Sequence, residues 1–201
     1  RVFVLAPMLS LIPAFTVFTV IPIGGDFAEE GGAVRLLGQD TFLMVADPPV
    51  GVLLILAMSS IAVYGVMLAG WSSGSKYPLL GSVRASAQMI SYEAALGLSV
   101  LAVVLMSRSL STHQMVLDQA GAGGSLGDWS APNWNIIATG LVPFIVFVIA
   151  ATAELNRPPF DLVEAEQELV GGFQTEYSSI RFGMFYVAEF MNMVSMSGIV
   201  V

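Results

Sequence analysis

Hydrophobic and polar residues along this chain fall into long blocks rather than short periodic runs. Five apolar stretches of about 20 residues, the length that crosses a hydrocarbon core, lie at approximately 2–23, 50–70, 86–106, 135–153 and 179–201. Lipid cannot satisfy exposed backbone groups, and the period-two alternation of a membrane barrel is not apparent. We therefore predict an all-α, polytopic transmembrane helix bundle, with residues 1–201 forming one membrane domain.

Composition supports the membrane assignment and excludes several kinds of site. Hydrophobic residues make up 56% of the chain and charged residues 11%, with no cysteine and one histidine. Iron–sulfur clusters need thiolates, and haem or zinc sites usually need more His or Cys ligands. We therefore expect no metal site and no redox centre in this chain, and we interpret His113 as a solvated loop residue.

Lys and Arg are divided unevenly between the two sets of predicted loops. Five fall on one side (Arg1, Lys76, Arg84, Arg157, Arg181) and two on the other (Arg35, Arg108). By the positive-inside rule the first side is cytoplasmic, and the net charge of -8 does not oppose this, since acids contribute little. The loops around 71–85 and 154–178 are therefore predicted to be cytoplasmic.

Two carboxylates, Glu93 and Glu189, lie well inside predicted spans. An acid at the centre of a membrane helix costs about 2.5–3.5 kcal/mol on insertion scales, so such residues usually bind ions, carry protons or pair internally. We expect both side chains to face the bundle interior or a hydrated cavity.

The segment after the fourth predicted span has a readable local structure. Prolines at 158–159 end the span, Asp161 suits a helix N-cap, and Glu164 stands three residues later as in a capping box. Glycines at 171–172 supply a C-terminal stop. A short interfacial helix is predicted between them.

This segment also concentrates acidic residues near one membrane face: Glu154, Asp161, Glu164, Glu166, Glu168 and Glu176. Closely spaced carboxylates can share protons near neutral pH. Simple helix capping and solvation would explain the same acids, with Arg157 as an anchor at the membrane face, so spacing alone leaves both interpretations open. We expect Arg157 to pair with a carboxylate of this loop, because a guanidinium can bind one bidentately.

Four segments make the chain recognisable. They are 154–177 (ELNRPPFDLVEAEQELVGGFQTEY), 68–77 (LAGWSSGSKY), 84–93 (RASAQMISYE) and 185–190 (FYVAEF). Together they closely resemble the H-subunit family of respiratory complex I, the proton-pumping NADH-quinone oxidoreductase. That family has about eight spans, and this chain begins at Arg1 and stops within an apolar run, so we expect an internal fragment. Val163 and Pro159 depart from the residues common in the family, without removing a charge.

The resemblance implies a role without a redox centre in this chain. The family's members form the membrane side of the quinone chamber, beneath peripheral subunits that carry the terminal iron–sulfur cluster and the quinone-reducing residues. The positions matching the loop beside the quinone cavity are Arg157, Phe160, Asp161, Glu164, Glu166, Glu168 and Glu176. The positions matching intramembrane acids that couple quinone reduction to proton pumping are Glu93, Glu154 and Glu189.

The same resemblance implies the substrate and partners. Quinone, either ubiquinone or menaquinone, is the substrate, while FMN and the iron–sulfur clusters belong to partner subunits. The expected partners are the other membrane subunits of complex I, the peripheral-arm subunits and the lipid bilayer, without nucleic acid. The expected location is the bacterial plasma membrane or the mitochondrial inner membrane.

Two other functions stay open at this point. One is the homologous membrane subunit of a membrane-bound hydrogenase or another quinone or phenazine oxidoreductase, which shares the architecture. The other is a self-contained proton or cation transporter in which Glu93 and Glu189 bind the ion. Such transporters often contain internal repeats and broken midplane helices, and neither is evident in this sequence.

Overall fold

The computed structural model describes residues 1–25, 33–120, 125–126, 129–130, 134–161 and 171–200. The helices in these residues are α1 (Val2–Thr19), α2 (Gly51–Ser72), α3 (Lys76–Ser107), α4 (Thr112–Ala120), α5 (Asn135–Ala138), α6 (Leu141–Glu154) and α7 (Ser179–Val200), with a 3₁₀ helix at Gly172–Gln174. Two short antiparallel hairpins pair β1 (Ala33–Leu36) with β2 (Gln39–Phe42), and β3 (Ser125–Leu126) with β4 (Trp129–Ser130). The predicted all-α class is confirmed.

Among the described helices, three are long and apolar enough to cross a membrane, namely α1, α2 and α3. Helix α6 is apolar but has only 14 residues, and α7 has 22 residues that include Arg181 and Glu189. Each of the five predicted segments therefore contains a helix. The total of five membrane crossings stays a prediction.

Helix α3 begins ten residues before the predicted third span. Pro78 lies in its first turn, where a missing backbone N–H is tolerated, so the helix can begin at Lys76. Most of the predicted loop at 71–85 is consequently helical, and only residues 73–75 connect α2 to α3. At 1.5 Å per residue, the 32 residues of α3 extend about 48 Å, well beyond a hydrocarbon core of about 30 Å.

The predicted fourth span is interrupted near its start. Helix α5 ends after one turn, and Gly140 then adopts a left-handed φ of 84° before α6 begins at Leu141. Glycine adopts this conformation without a steric penalty, so the break coincides with the residue that tolerates it best.

His113 does not lie in a solvated loop, so that prediction was wrong. It belongs to the first turn of α4, is half-buried, and contacts the Phe42 ring edge-on at a centroid distance of 5.3 Å. The residues around His113 are polar, so the sequence did not predict the short helix α4, which contacts the first hairpin through His113 and Phe42.

The helices pack in a continuous series, with α1 against α2 and α7, α2 against α3, and α3 against α6. Glycines allow two of the close contacts. A Cβ atom on Gly65 of α2 would lie 2.9 Å from the backbone nitrogen of Ser10, and one on Gly81 of α3 would lie 3.0 Å from the Gly172 Cα. Small residues commonly permit such approaches between membrane helices. The Gly81 contact seats the segment before α7 directly on α3.

An aromatic cluster holds the same segment from the other side. The Tyr177 ring stacks on Phe3 of α1 at 4.1 Å and meets Phe185 of α7 edge-on at 5.1 Å. Its hydroxyl lies 3.1 Å from Ser72 Oγ at the end of α2. Burial raises the pKa of Tyr177, and either hydroxyl can be the donor in the contact with Ser72. Residues 171–177 are therefore fixed to α1, α2, α3 and α7.

The Gly65 contact predicts a stability effect. Gly65→Ala should lower the free energy of unfolding by about 1–3 kcal/mol, because its Cβ would displace the backbone of α1. Gly183→Ala in α7 is the matched control, since nothing lies within 4 Å of its Cβ and alanine favours helix. Thermal unfolding of both variants in the same detergent compares them. Equal stability of the two variants would contradict the close packing of α1 on α2.

Candidate functional site

The end of α6 sets the geometry of the site. Asn156 adopts a left-handed φ of 51°, its N–H donates to Ala153 O, and the Arg157 N–H donates to Thr152 O, both at 3.2 Å. This is a Schellman ending, and the prolines at 158–159 prevent the helix from resuming, as predicted. Glu154 is thereby held in the last helical turn and Arg157 just beyond it.

Two adjacent serines of α2 bind two carboxylates from different helices. Ser59 donates to Oε1 of Glu154, and Ser60 donates to Oε1 of Glu93 in α3. Glu154 is buried and Glu93 is half-buried. Since the serines are neighbours in sequence, the two carboxylates meet α2 at adjacent positions.

Glu189 of α7 forms an ion pair with Arg157. Arg157 Nη2 lies 2.8 Å from Glu189 Oε1, and the guanidinium lies 5.7 Å from the centroid of the Phe190 ring. The predicted partner was an acid of the loop, whereas the ion pair among the described residues is with Glu189 of α7. The loop acids Glu164, Glu166 and Glu168 lie outside the described residues, so pairing with them stays a prediction. A carboxylate in the apolar sequence of α7 needs a counter-charge more than a loop acid, which water can solvate.

Two small cavities adjoin Glu154. One, of about 70 Å³, is lined by Ser10, Glu154, Gln174, Glu189 and Asn192 among other residues. The other, of about 40 Å³, is lined by residues that include Ser59, Glu154, Asn192 and Ser195. Glu154 and Asn192 therefore line both cavities, and the larger one connects Glu154 to Glu189.

The cavity linings favour water. Ser10 Oγ, Ser195 Oγ and Glu154 Oε2 are buried and have no hydrogen-bond partner within the described part of the chain. Buried polar atoms are normally bonded, and a cavity of about 10–15 Å³ suffices for one water molecule. Neither cavity approaches the roughly 300–1,000 Å³ of a typical small-molecule site. A quinone ring needs a larger space than these two cavities offer.

The side-chain amide of Gln88 in α3 lies against the end of α6. Its Nε2 is 2.8 Å from Ala153 O, 3.0 Å from Asn156 Oδ1 and 2.9 Å from Phe160 O. Two of these acceptors are backbone carbonyls, so the nitrogen of the amide must face the turn, because an oxygen would meet two carbonyl oxygens. Gln88 therefore ties the last turn of α6 and the residues after it to α3.

The remaining predicted site residues are less closely connected. Phe160 packs on Tyr92 of α3 with ring centroids 5.3 Å apart. Asp161 is half-buried, with a buried Oδ1 that has no hydrogen-bond partner among the described residues, and Glu176 is exposed after the 3₁₀ helix. The predicted interfacial helix and three of its acids lie outside the described residues: Glu164, Glu166 and Glu168.

Several polar residues of the site could not be recognised as functional candidates from the sequence alone. Ser59, Ser60, Gln88, Asn192 and Ser195 are short or neutral side chains within apolar helices, where they are common and seldom attract notice. Their importance appears only when the helices are packed. Among the described residues, no group of three or more His, Cys, Asp or Glu side chains could hold a metal ion.

Comparison with known proteins identifies the family. A family model described as NADH dehydrogenase matches residues 1–201. The chain belongs to this family. Among curated relatives it is 50% identical to the H subunit of NADH-quinone oxidoreductase from Frankia alni and 49% identical to its counterpart from Frankia casuarinae, over 199 residues in each case. It is also 49% identical, over 201 residues, to the second H subunit of NADH-quinone oxidoreductase from Geobacter metallireducens.

These matches cover nearly the whole chain but only part of each relative. They include 98% of this chain, 40% of each Frankia protein and 55% of the Geobacter protein. The chain therefore spans about half the length of these NADH dehydrogenase family members. The resemblance to the H-subunit family is confirmed.

The ion pair of Arg157 and Glu189 predicts a measurable coupling. In a double-mutant cycle, Arg157→Ala and Glu189→Gln should be non-additive in the free energy of unfolding by about 1 kcal/mol, because the pair is partly shielded from solvent. The matched control is Arg35 with Asp40, whose atoms are 4.0 Å apart and whose side chains are mostly exposed. That cycle should show almost no coupling. Equal coupling in both cycles would remove the special role of the Arg157 pair.

Proposed function

We propose that this chain is part of the membrane subunit of a proton-pumping NADH-quinone oxidoreductase. It forms part of the wall of the quinone chamber and the first carboxylates of the path that couples quinone reduction to proton pumping. The names of its relatives support the enzyme, its quinone substrate and its assembly with other subunits. FMN and the iron–sulfur clusters are assigned to peripheral partners, and the protein is placed in a bacterial plasma membrane with 154–178 on the cytoplasmic side.

The observation that carries the proposal is a polar connection through an apolar bundle. It begins at the turn after α6, where Arg157 pairs with Glu189. The larger cavity leads from Glu189 to Glu154. Ser59 and Ser60 then place Glu154 and Glu93 at adjacent positions of α2. Carboxylates within apolar helices are costly, so they are usually retained for proton or ion chemistry.

The chemistry follows from charge balance. Reduction of a quinone to a quinol uses two electrons and takes up two protons. A carboxylate beside the chamber can supply a proton and be left ionised, and the negative charge then acts on its neighbours. Arg157 is placed to respond, because its guanidinium stabilises the ionised form of Glu189. When Arg157 moves toward a new negative charge, Glu189 can take up a proton that originates in the bulk solvent and reaches it by way of the cavity.

The alternatives differ in what they require of the chain. A related hydrogenase or phenazine oxidoreductase would use the same architecture, but the named relatives over 98% of the chain are quinone oxidoreductase subunits. A self-contained transporter would bind its ion at Glu93 and Glu189. The pairing of Glu189 with Arg157 argues against that role, since the cation site is already occupied by a guanidinium. Co-purification with iron–sulfur subunits separates the two classes directly.

The coupling role predicts a change in proton stoichiometry. Glu93→Gln and Glu189→Gln keep the side-chain shape but remove the titrating group, so both should lower the number of protons pumped per electron in the assembled complex. Proton release in sealed vesicles, measured together with NADH oxidation, gives this ratio. Asp40→Asn, an exposed change in the β hairpin, is the control. Wild-type ratios at normal turnover in both Glu variants would contradict the proposed role.

The chamber role predicts a selective loss in Arg157 variants. Arg157→Ala should reduce quinone reductase activity by about tenfold or more, while electron transfer from NADH to a soluble acceptor that bypasses the chamber is retained. Arg157→Lys should be intermediate, because an ammonium offers one compact charge in place of a planar fork. Both rates are measured on the same assembled complex. Equal losses would indicate general damage, and no loss would reduce Arg157 to an anchor at the membrane face.

A further inference from the structure

The side-chain amide of Gln88 in α3 contacts three acceptors at the end of α6 and in the turn that follows it. Its single amide nitrogen reaches the last turn of α6 at Ala153 O, the left-handed residue at Asn156 Oδ1, and the following turn at Phe160 O. No carboxylate is involved, so Gln88 lies outside the chain of acidic groups. We infer that Gln88 is a positioning residue for quinone reduction, which fixes the turn 156–160 relative to α3. This inference rests on the proposed function of the chain.

The numbers of donor hydrogens and of acceptors explain why an amide suits position 88. The NH₂ group has two hydrogens, and it faces three acceptors at 2.8–3.0 Å. Two strong hydrogen bonds can form at once, and the third acceptor shares a hydrogen. The turn is held firmly but can exchange one acceptor for another without leaving the amide. An apolar side chain would leave the Phe160 carbonyl without this donor.

A second contact from α3 holds the same turn. Tyr92 is four residues after Gln88, on the same face of the helix, and its ring packs on Phe160 at a centroid distance of 5.3 Å. Gln88 thus binds the backbone of Phe160 while Tyr92 packs against its side chain. Two points of attachment on one rigid helix define both the position and the direction of the turn.

Because Gln88 holds this turn, it also sets the positions of the site residues in and beside the turn. Arg157 follows directly on Asn156 and reaches Glu189 of α7, so the turn bridges α3 and α7. Residue 153, whose carbonyl Gln88 binds, immediately precedes Glu154. Loss of the Gln88 donor should therefore misplace Arg157 and Phe160 with respect to a bound quinone, and Glu154 with respect to Ser59.

The test is Gln88→Met in the full-length protein within the assembled complex. Methionine keeps the length of the side chain and removes both donor hydrogens without adding a charge. The expected result is a KM for quinone raised about tenfold, with an unchanged rate of NADH oxidation by a soluble acceptor that bypasses the chamber. Ser91→Ala is the matched control. Within the described part of the chain its hydroxyl donates only to the Ala87 carbonyl of its own helix, at 2.8 Å on an exposed face of α3, so both rates should match wild type.

A second variant keeps the inference testable if the methionine complex does not assemble. Gln88→Asn retains the amide but shortens its reach by one methylene, so it cannot serve all three acceptors. It should raise the quinone KM by a smaller factor. A wild-type KM for quinone, or equal losses with quinone and with the soluble acceptor, overturns the inference in either variant.

Arg157→Ala, assayed in parallel, separates this inference from the proposed function. If Arg157→Ala selectively lowers quinone reduction while the Gln88 variants do not, only the role of Gln88 fails. If the Arg157 and Gln88 variants all leave quinone reduction unchanged, the quinone-chamber assignment fails as well.

Discussion

Carboxylates inside apolar helices must find their polar partners within the protein, because hydrocarbon offers none. The chain meets this constraint in two ways. Ser59 and Ser60 donate to Glu154 and Glu93, and Arg157 neutralises Glu189. Each of these contacts joins two different parts of the chain. The same interactions that make the acids tolerable therefore also fix how the helices sit against one another.

The end of α6 is where these constraints meet. A left-handed Asn156 ends the helix, and the following turn is bound by Gln88 from α3 and by Glu189 from α7 through Arg157. The segment 171–177 packs on α3 through Gly81. The loop that resembles the quinone-site segment thus has both described ends attached to α3. Under the proposed function, a displacement of this loop would act on α3 and, through Arg157, on α7, the helices that carry Glu93 and Glu189.

Sequence reasoning succeeded where one physical rule dominates. Long apolar blocks predicted helices, and Pro158 with Pro159 predicted the end of α6. Sequence patterns were less informative where the partner of a side chain depends on how the helices pack. Arg157 was predicted to pair with a loop acid, and its ion pair among the described residues is with Glu189, whose need for a counter-charge depends on its surroundings. Gln88 and the two serines of α2 could not be singled out, because neutral polar residues are frequent in membrane helices and their contacts are set by packing.

Infrared difference spectroscopy on quinone reduction tests the central claim most directly, because protonation of a buried carboxyl group changes its carbonyl stretching band. The assembled complex should show a carboxyl band that appears or disappears when the quinone pool is reduced. The Glu154 side chain lines both cavities, so that change should be lost or displaced in Glu154→Gln. It should be retained in Asp40→Asn. A carboxyl difference band that is identical in wild type and Glu154→Gln would contradict the account.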